Sequence, residues 1–326
     1  MDLKEKKPDR ILTKKVLEDF SILNRNDDVS EVRRSLDQLA CFTQIEDDAA
    51  ELISNESVFD LRDDFLNFSG LKFLSDTASE HIGKIKAAGL DLSGLESVSN
   101  RSAANLSRYY GGFIPGHLSL SGLKFLSDAV AERLSRSGAR LNLDGLTSIS
   151  DAAAASLSKS QGGLSLNGLI SLSDFAAENF FTSPSKYLSL DGLTSLSDSA
   201  SESLSKCRAW HLSLNGLKSL SDTTARGLSQ CDTGALYLDG LTSLSDAAAE
   251  NLSKTKKCHF LSLNGLTDLS GGAAESFSKF SGSQLHLRGL TSLSDSAAES
   301  LSKLIGACFH RSLQIISLQS DAQPNG

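Results

Sequence analysis

Cys207, His211, Cys231, Cys258 and His259 are the side chains whose types and spacing come closest to a reactive centre. Thiolates and imidazoles hold zinc in tetrahedral sets of four, and a serine becomes a nucleophile when an imidazole and a carboxylate are brought to it. Neither chemistry finds its pattern here. The paired spacings of zinc sites are missing, and the many serines and aspartates recur in register, so their proximity to a histidine carries no information. Cys207 and Cys231 hold equivalent places, which leaves a disulfide as the alternative to two free thiols. There is no G-x-S-x-G, phosphate-binding loop, H-E-x-x-H or dinucleotide fingerprint. The chain therefore reads as a non-enzyme with no metal and no cofactor.

What places those residues in register is repetition. The pentad L-x-L-x-G begins at Leu66, Leu90, Leu118, Leu141, Leu164, Leu188, Leu212, Leu236, Leu261 and Leu285, which makes ten clear copies of about 24 residues. The consensus L-x-L-x-G-L-T-S-L-S-D-x-A-A-E-x-L-S-K is seen best from Leu236 to Lys254. An eleventh, degenerate copy runs from Phe42 to Ser54 and superimposes on Leu241 to Ser253. After Lys303 the pattern decays, with Leu313, Ile315 and Leu318 as candidates for one last strand.

Within a repeat, L-x-L alternates with the period of a strand, leucines inward, and the glycine after it makes a turn. Serine at position ten is a good N-cap, and aspartate at position eleven lies where the helix dipole favours an anion. Asp76, Asp128, Asp151, Asp174, Asp198, Asp222, Asp246 and Asp295 are thus structural acids. Alanine at thirteen and leucine at seventeen form the buried stripe of a short helix, as in Ala248 and Leu252. Opposite charges at fifteen and nineteen predict the pairs Glu80 with Lys84, Glu132 with Arg136, Glu202 with Lys206, Glu250 with Lys254, Glu275 with Lys279 and Glu299 with Lys303. One strand and one helix per repeat cannot fold alone but can stack. Helices need a wider spacing than strands, so the stack is expected to curve with its parallel sheet on the concave face.

Positions two and four are then expected to point to solvent on the concave face. Position two supplies Ser165, Ser189, Ser213, Tyr237, Ser262 and His286, and position four supplies Asp144, Asn167, Asp191, Asn215, Asp239, Asn264 and Arg288. The second row alternates Asp and Asn over six repeats, as duplication of a two-repeat unit would leave it. A flat polar face with Tyr237, His286 and Arg288 as its large side chains is the candidate surface for a protein partner. The 28-residue repeat carries extra chain with Tyr109, Tyr110, Phe113 and His117, a second candidate loop, whose aromatics can also fold down over the stack.

These repeats, with L-x-L-x-G-L-T-S-L-S-D-x-A-A-x-x-L as their core, resemble leucine-rich repeats of the bacterial kind. They are most similar to the subclass of bacterial surface antigens, whose repeats have a similar L-T-S-I segment and a short Ala-containing helix. The resemblance covers about Phe42 to Leu318. It lacks that subclass's proline in the strand turn and A-F-x-x-C helix end, and the asparagine ladder of the wider family. It implies an α/β leucine-rich-repeat solenoid, or horseshoe, with short helices on the convex face.

Residues 1–65 carry 17 acids and 10 bases and so hold -7 of the chain's net charge of -8. They are expected to form a charged helical cap that includes the degenerate repeat, at about 36–59. Val29, Val32, Leu36 and Leu39 would lie on one helix, and Ile11, Val16, Leu17 and Phe20 on another. Residues 66–312 are the repeats and 313–326 a terminal strand with a frayed tail. A pI near 5.3 argues against nucleic acid as the partner. No apolar run reaches the roughly 18 residues of a membrane span, no signal peptide is seen, and the five cysteines form no disulfide framework. The reading is a cytoplasmic, monomeric scaffold that binds a protein partner of unknown identity through the concave face. The alternatives are a self-assembling envelope-associated repeat protein and a peptide- or glycan-binding one.

Overall fold

The computed structural model describes residues 10–19, 37–55, 64–111, 115–255, 257–306 and 312–314. The chain forms two compact units, Met1–Ile170 with Ser183–Leu188, and Ser171–Thr182 with Ser189–Gly326. Each is a leucine-rich-repeat stack of the α/β class. In the first unit the strands β3 (Phe65–Asn67), β4 (Gly89–Asp91), β5 (His117–Ser119), β6 (Arg140–Asn142) and β7 (Leu164–Ser165) pair in chain order, all parallel. In the second, β9 (His211–Ser213), β10 (Ala235–Tyr237), β11 (Phe260–Ser262), β12 (Gln284–His286) and β13 (Ser312–Gln314) do the same. Strand β8 (Tyr187–Ser189) spans the division. Register pairs each pentad leucine with its counterpart, Leu212 with Leu236 and Leu236 with Leu261. Those leucines and the third-position ones are buried throughout.

Helices of six to nine residues follow the strands between Asp47 and Ser278. From Asp76 onward they start where the serine side chain captures a free amide: Ser75 accepts from Ala78, Ser150 from Ala153 and Ser245 from Ala248. Ala248, Ala249 and Leu252 are buried, and the small alanines let backbone approach backbone. Five of the predicted i,i+4 ion pairs form, from Glu80 with Lys84 to Glu299 with Lys303. The sixth does not. Helix Asp198–Ser203 tightens into a 3-10 turn at Leu204–Lys206, which rotates Lys206 off the i,i+4 position, and its ammonium pairs with Glu178 of the preceding repeat at 3.0 Å.

The degenerate copy folds as its alignment requires: Asp47–Ser54 is a helix, matching Asp246–Ser253. Upstream, the expected amphipathic helix through Ile11 is corrected. Ile11 and Leu12 form β1, which pairs in parallel with β2 (Gln44–Ile45), and only Lys14–Asp19 is helical, with Leu17 buried. Thr13 caps it, accepting from Val16, so Leu12–Asp19 repeats the helix half of the motif once more. Phe20, Val29, Val32 and Leu36 lie outside the described residues, as do Ile315 and Leu318; Leu39 is buried in the 3-10 turn Gln38–Cys41. Leu313 is in β13 as expected. Among the described residues no helix is long and apolar enough to cross a membrane.

The glycine after each strand is fixed by crowding. An ideal Cβ on Gly216 would stand 2.2 Å from the Asp191 carbonyl oxygen and 2.3 Å from that of Leu193, in the repeat before. Backbone conformation is not the reason, because among the described residues only Gly111 and Gly163 have positive φ.

Candidate recognition surface

Position four runs along the sheet as a hydrogen-bonded ladder. Asp191 Oδ1 accepts from the amide of Asn215 at 2.8 Å, Asn215 Oδ1 from that of Asp239 at 2.8 Å, Asp239 Oδ1 from that of Asn264 at 2.9 Å, and Asn264 Oδ1 from that of Arg288 at 3.0 Å. The first unit has the same rung from Asn167 to Asp144 at 2.8 Å. The chain thus has an Asp/Asn ladder of its own, at position four of the pentad. Alternation also has a physical reason. Adjacent rungs are about one strand spacing apart, roughly 4.8 Å, and consecutive carboxylates at that distance would repel. Earlier repeats solve the turn locally instead: Asn67, Asp91 and Asn142, at position two, accept from Ser69, Ser93 and Asp144 two residues on.

Position-two serines are corrected from solvent-facing to buried. Ser189 and Ser262 are 1% exposed, and Ser165 and Ser213 are 7% exposed. They do point away from the leucine core, but the acid of the preceding rung closes over them: Ser165 donates to Asp144, Ser213 to Asp191 and Ser262 to Asp239, at 2.5 to 2.7 Å. Asn167, Asn215 and Asn264 donate back to Ser165, Ser213 and Ser262. The position-two serines are therefore enclosed in a hydrogen-bonded lattice whose position-four Asp and Asn members stay half-exposed.

Beside those residues the outward face carries a third row, in which the aromatic side chains concentrate. The residue before each pentad shares the parity of positions two and four, and this row reads Phe65, Gly89, His117, Arg140, Gly163, Tyr187, His211, Ala235, Phe260 and Gln284. Large side chains lean over small ones. Phe65 reaches His117 across Gly89 with ring centroids 6.1 Å apart, and the Arg140 guanidinium lies 3.0 Å from the Tyr187 ring centroid beside Gly163. In the second unit the two rows merge into a strip: His211 stacks with Tyr237 at 6.2 Å, Tyr237 meets Phe260 at 5.1 Å, and Phe260 meets His286 edge-on at 4.5 Å. Burial, and then Arg288, hold the His286 imidazole below its ordinary value, which keeps the ring neutral. Its Nε2 is buried with no hydrogen-bond partner among the described residues. Trp210, 59% exposed, lies over Gly234 beside this strip.

Of the singled-out aromatics in the long repeat, Tyr109 is fully buried and donates to the Ala87 carbonyl at 2.9 Å, so it belongs to the core and is withdrawn as a loop contact. Tyr110 is 52% exposed and His117 is exposed, while Phe113 lies outside the described residues. The cysteine and histidine constellation divides. Cys207, Cys231 and Cys258 are buried free thiols, whereas His211 faces outward and His259 is exposed. Among the described residues no group of three or more metal-ligating side chains comes together.

Sequence reasoning missed Phe260, Tyr187, Arg140 and Trp210, and grouped His211 with the cysteines instead. The available signal was parity: a strand that begins one residue before the pentad leucine adds a third outward row.

No protein-family model and no curated protein matches the sequence. Among solved structures the chain is similar to an internalin from Listeria monocytogenes, at 17% identity over 88% of this chain and 89% of that one, with a TM-score of 0.36. It is also similar to a chain of the yeast Rad7 and Elc1 complex, at 16% identity over 95% and 91%, with a TM-score of 0.47. A third is the TLR13-ssRNA13 complex, at 19% identity and a TM-score of 0.47 over 78% of this chain; there the match spans only 44% of the other chain.

Proposed function

We propose that this chain is a non-enzymatic recognition scaffold that binds a protein partner through the outward face of its sheet. One observation carries the reading: His211, Tyr237, Phe260 and His286 form a continuous strip of ring contacts on that face, outside the leucine core. Rigid aromatic side chains supply interface energy at low entropic cost. Tyr237 and Arg288 remain the proposed contacts among the position-two and position-four residues, and His286, 9% exposed, supports them from behind with the buried serines.

The test is affinity capture from the native lysate with wild-type protein and with Tyr237→Ser/Phe260→Ser, after circular dichroism has shown the double variant folded. Serine already occupies position two in five of the ten clear repeats, so the Tyr237 change introduces nothing foreign to the fold. Loss of a specific partner supports the face. An unchanged partner set overturns it and directs attention to Tyr110 and the N-terminal segments.

A further inference from the structure

The strip has a carboxylate at its side. Asp239 Oδ1 is committed to Ser262 and to the Asn264 amide, which fixes the plane of the group, while Oδ2 has no hydrogen-bond partner among the described residues. Its charge reaches both neighbouring rings: after burial, it is the contribution that raises the Tyr237 hydroxyl, and it works against the depression of His286. Ring faces carry negative potential, so faces plus a half-used carboxylate make a site for a cation. A planar guanidinium suits it better than an ammonium, because it stacks on a ring and donates sideways in one geometry. Arg288, exposed beyond His286, disfavours a cation at that end and leaves the Tyr237 end as the seat.

Resting on the sheet-face reading above, we infer that the strip takes an arginine side chain of the protein partner, stacked on Tyr237 and Phe260 with Asp239 as its counter-charge. The partner is thus a protein with an arginine-bearing segment at its contact surface.

The experiment titrates a labelled hexa-arginine peptide into the full chain, followed by anisotropy and by Trp210 fluorescence, in wild type and three variants. Asp239→Asn removes the charge and keeps the rung, since Asn215 and Asn264 already hold equivalent rungs. Tyr237→Ser/Phe260→Ser removes the stack, and Glu299→Gln changes charge equally on a helix. The expected result is binding weakened about tenfold in the first two and unchanged in Glu299→Gln, with hexa-lysine bound more weakly than hexa-arginine. No binding, equal loss in Glu299→Gln, or hexa-lysine bound as tightly would overturn the inference. If the captured partner is lost in Tyr237→Ser/Phe260→Ser yet is not displaced from wild type by hexa-arginine, the arginine assignment fails and the sheet-face reading stands.

Discussion

The hydroxyl of Ser99, which caps the helix Asn100–Leu106, donates to the carboxylate of Asp76, the first residue of the helix one repeat earlier, at 2.5 Å. The same link joins Ser150 to Asp128, Ser197 to Asp174 and Ser270 to Asp246. The position-eleven acid therefore serves its own helix dipole and the next repeat's cap at once.

The hydrogen bond from Ser99, followed by that from Ser102, holds the Asp76 carboxyl below its ordinary 3.8. A depressed folded-state value means stabilisation that is present above 3.8 and is lost as the pH falls through the folded value. Asp76→Asn should lower the melting temperature at pH 7, and the gap to wild type should close below about pH 4. A gap independent of pH would remove the charge from the explanation.

Asn215→Asp should place three carboxylates on consecutive rungs with Asp191 and Asp239. Mutual repulsion raises their folded-state values, so stability should be lost as pH rises above about 5 and regained towards acid, opposite in sign to the Asp76 effect. Asn215→Ala should instead cost about 1–3 kcal/mol with little pH dependence, because it leaves the Asp239 amide without its acceptor. Urea unfolding at pH 4 and pH 7 separates the two.

Gly216→Ala should destabilise by at least about 1–3 kcal/mol, since the added methyl meets two carbonyl oxygens that cannot both retreat. Hydrogen exchange should accelerate first at Leu214 and Leu217. Unchanged protection there would contradict the crowding account.

Thiol reactivity should divide by burial. In a Cys308→Ser background, Cys41, which is exposed, should react with an aromatic disulfide reagent promptly, and Cys207, Cys231 and Cys258 only on unfolding. Burial pushes the Cys258 thiol up to about 11, and hydrogen bonding to Cys207, with burial, pushes Cys231 up as well. Four fast thiols in that background would mean that these positions open readily.

Much of this was legible in the leucines, alanines and caps, because their periods are local: the helix Asp47–Ser54 follows from alignment with Asp246–Ser253 alone. The lattice was not. That Asp191 reaches the Asn215 amide depends on the register and separation of two repeats, which no single repeat encodes. The aromatic strip was hidden for a related reason, since Phe260 and Tyr237 sit at different positions of different repeats and become neighbours only when strands pair. Lys206 shows the limit of spacing itself: a 3-10 turn changes which residue lies one turn away.

The rungs and the cap links both cross from one repeat to the next, at the strand and at the helix. Opening a single repeat in the interior of a unit thus breaks bonds on two boundaries, whereas fraying from an end breaks them on one. Unfolding within a unit should advance as a front from its terminus, with a correlation length of several repeats set by these boundary bonds.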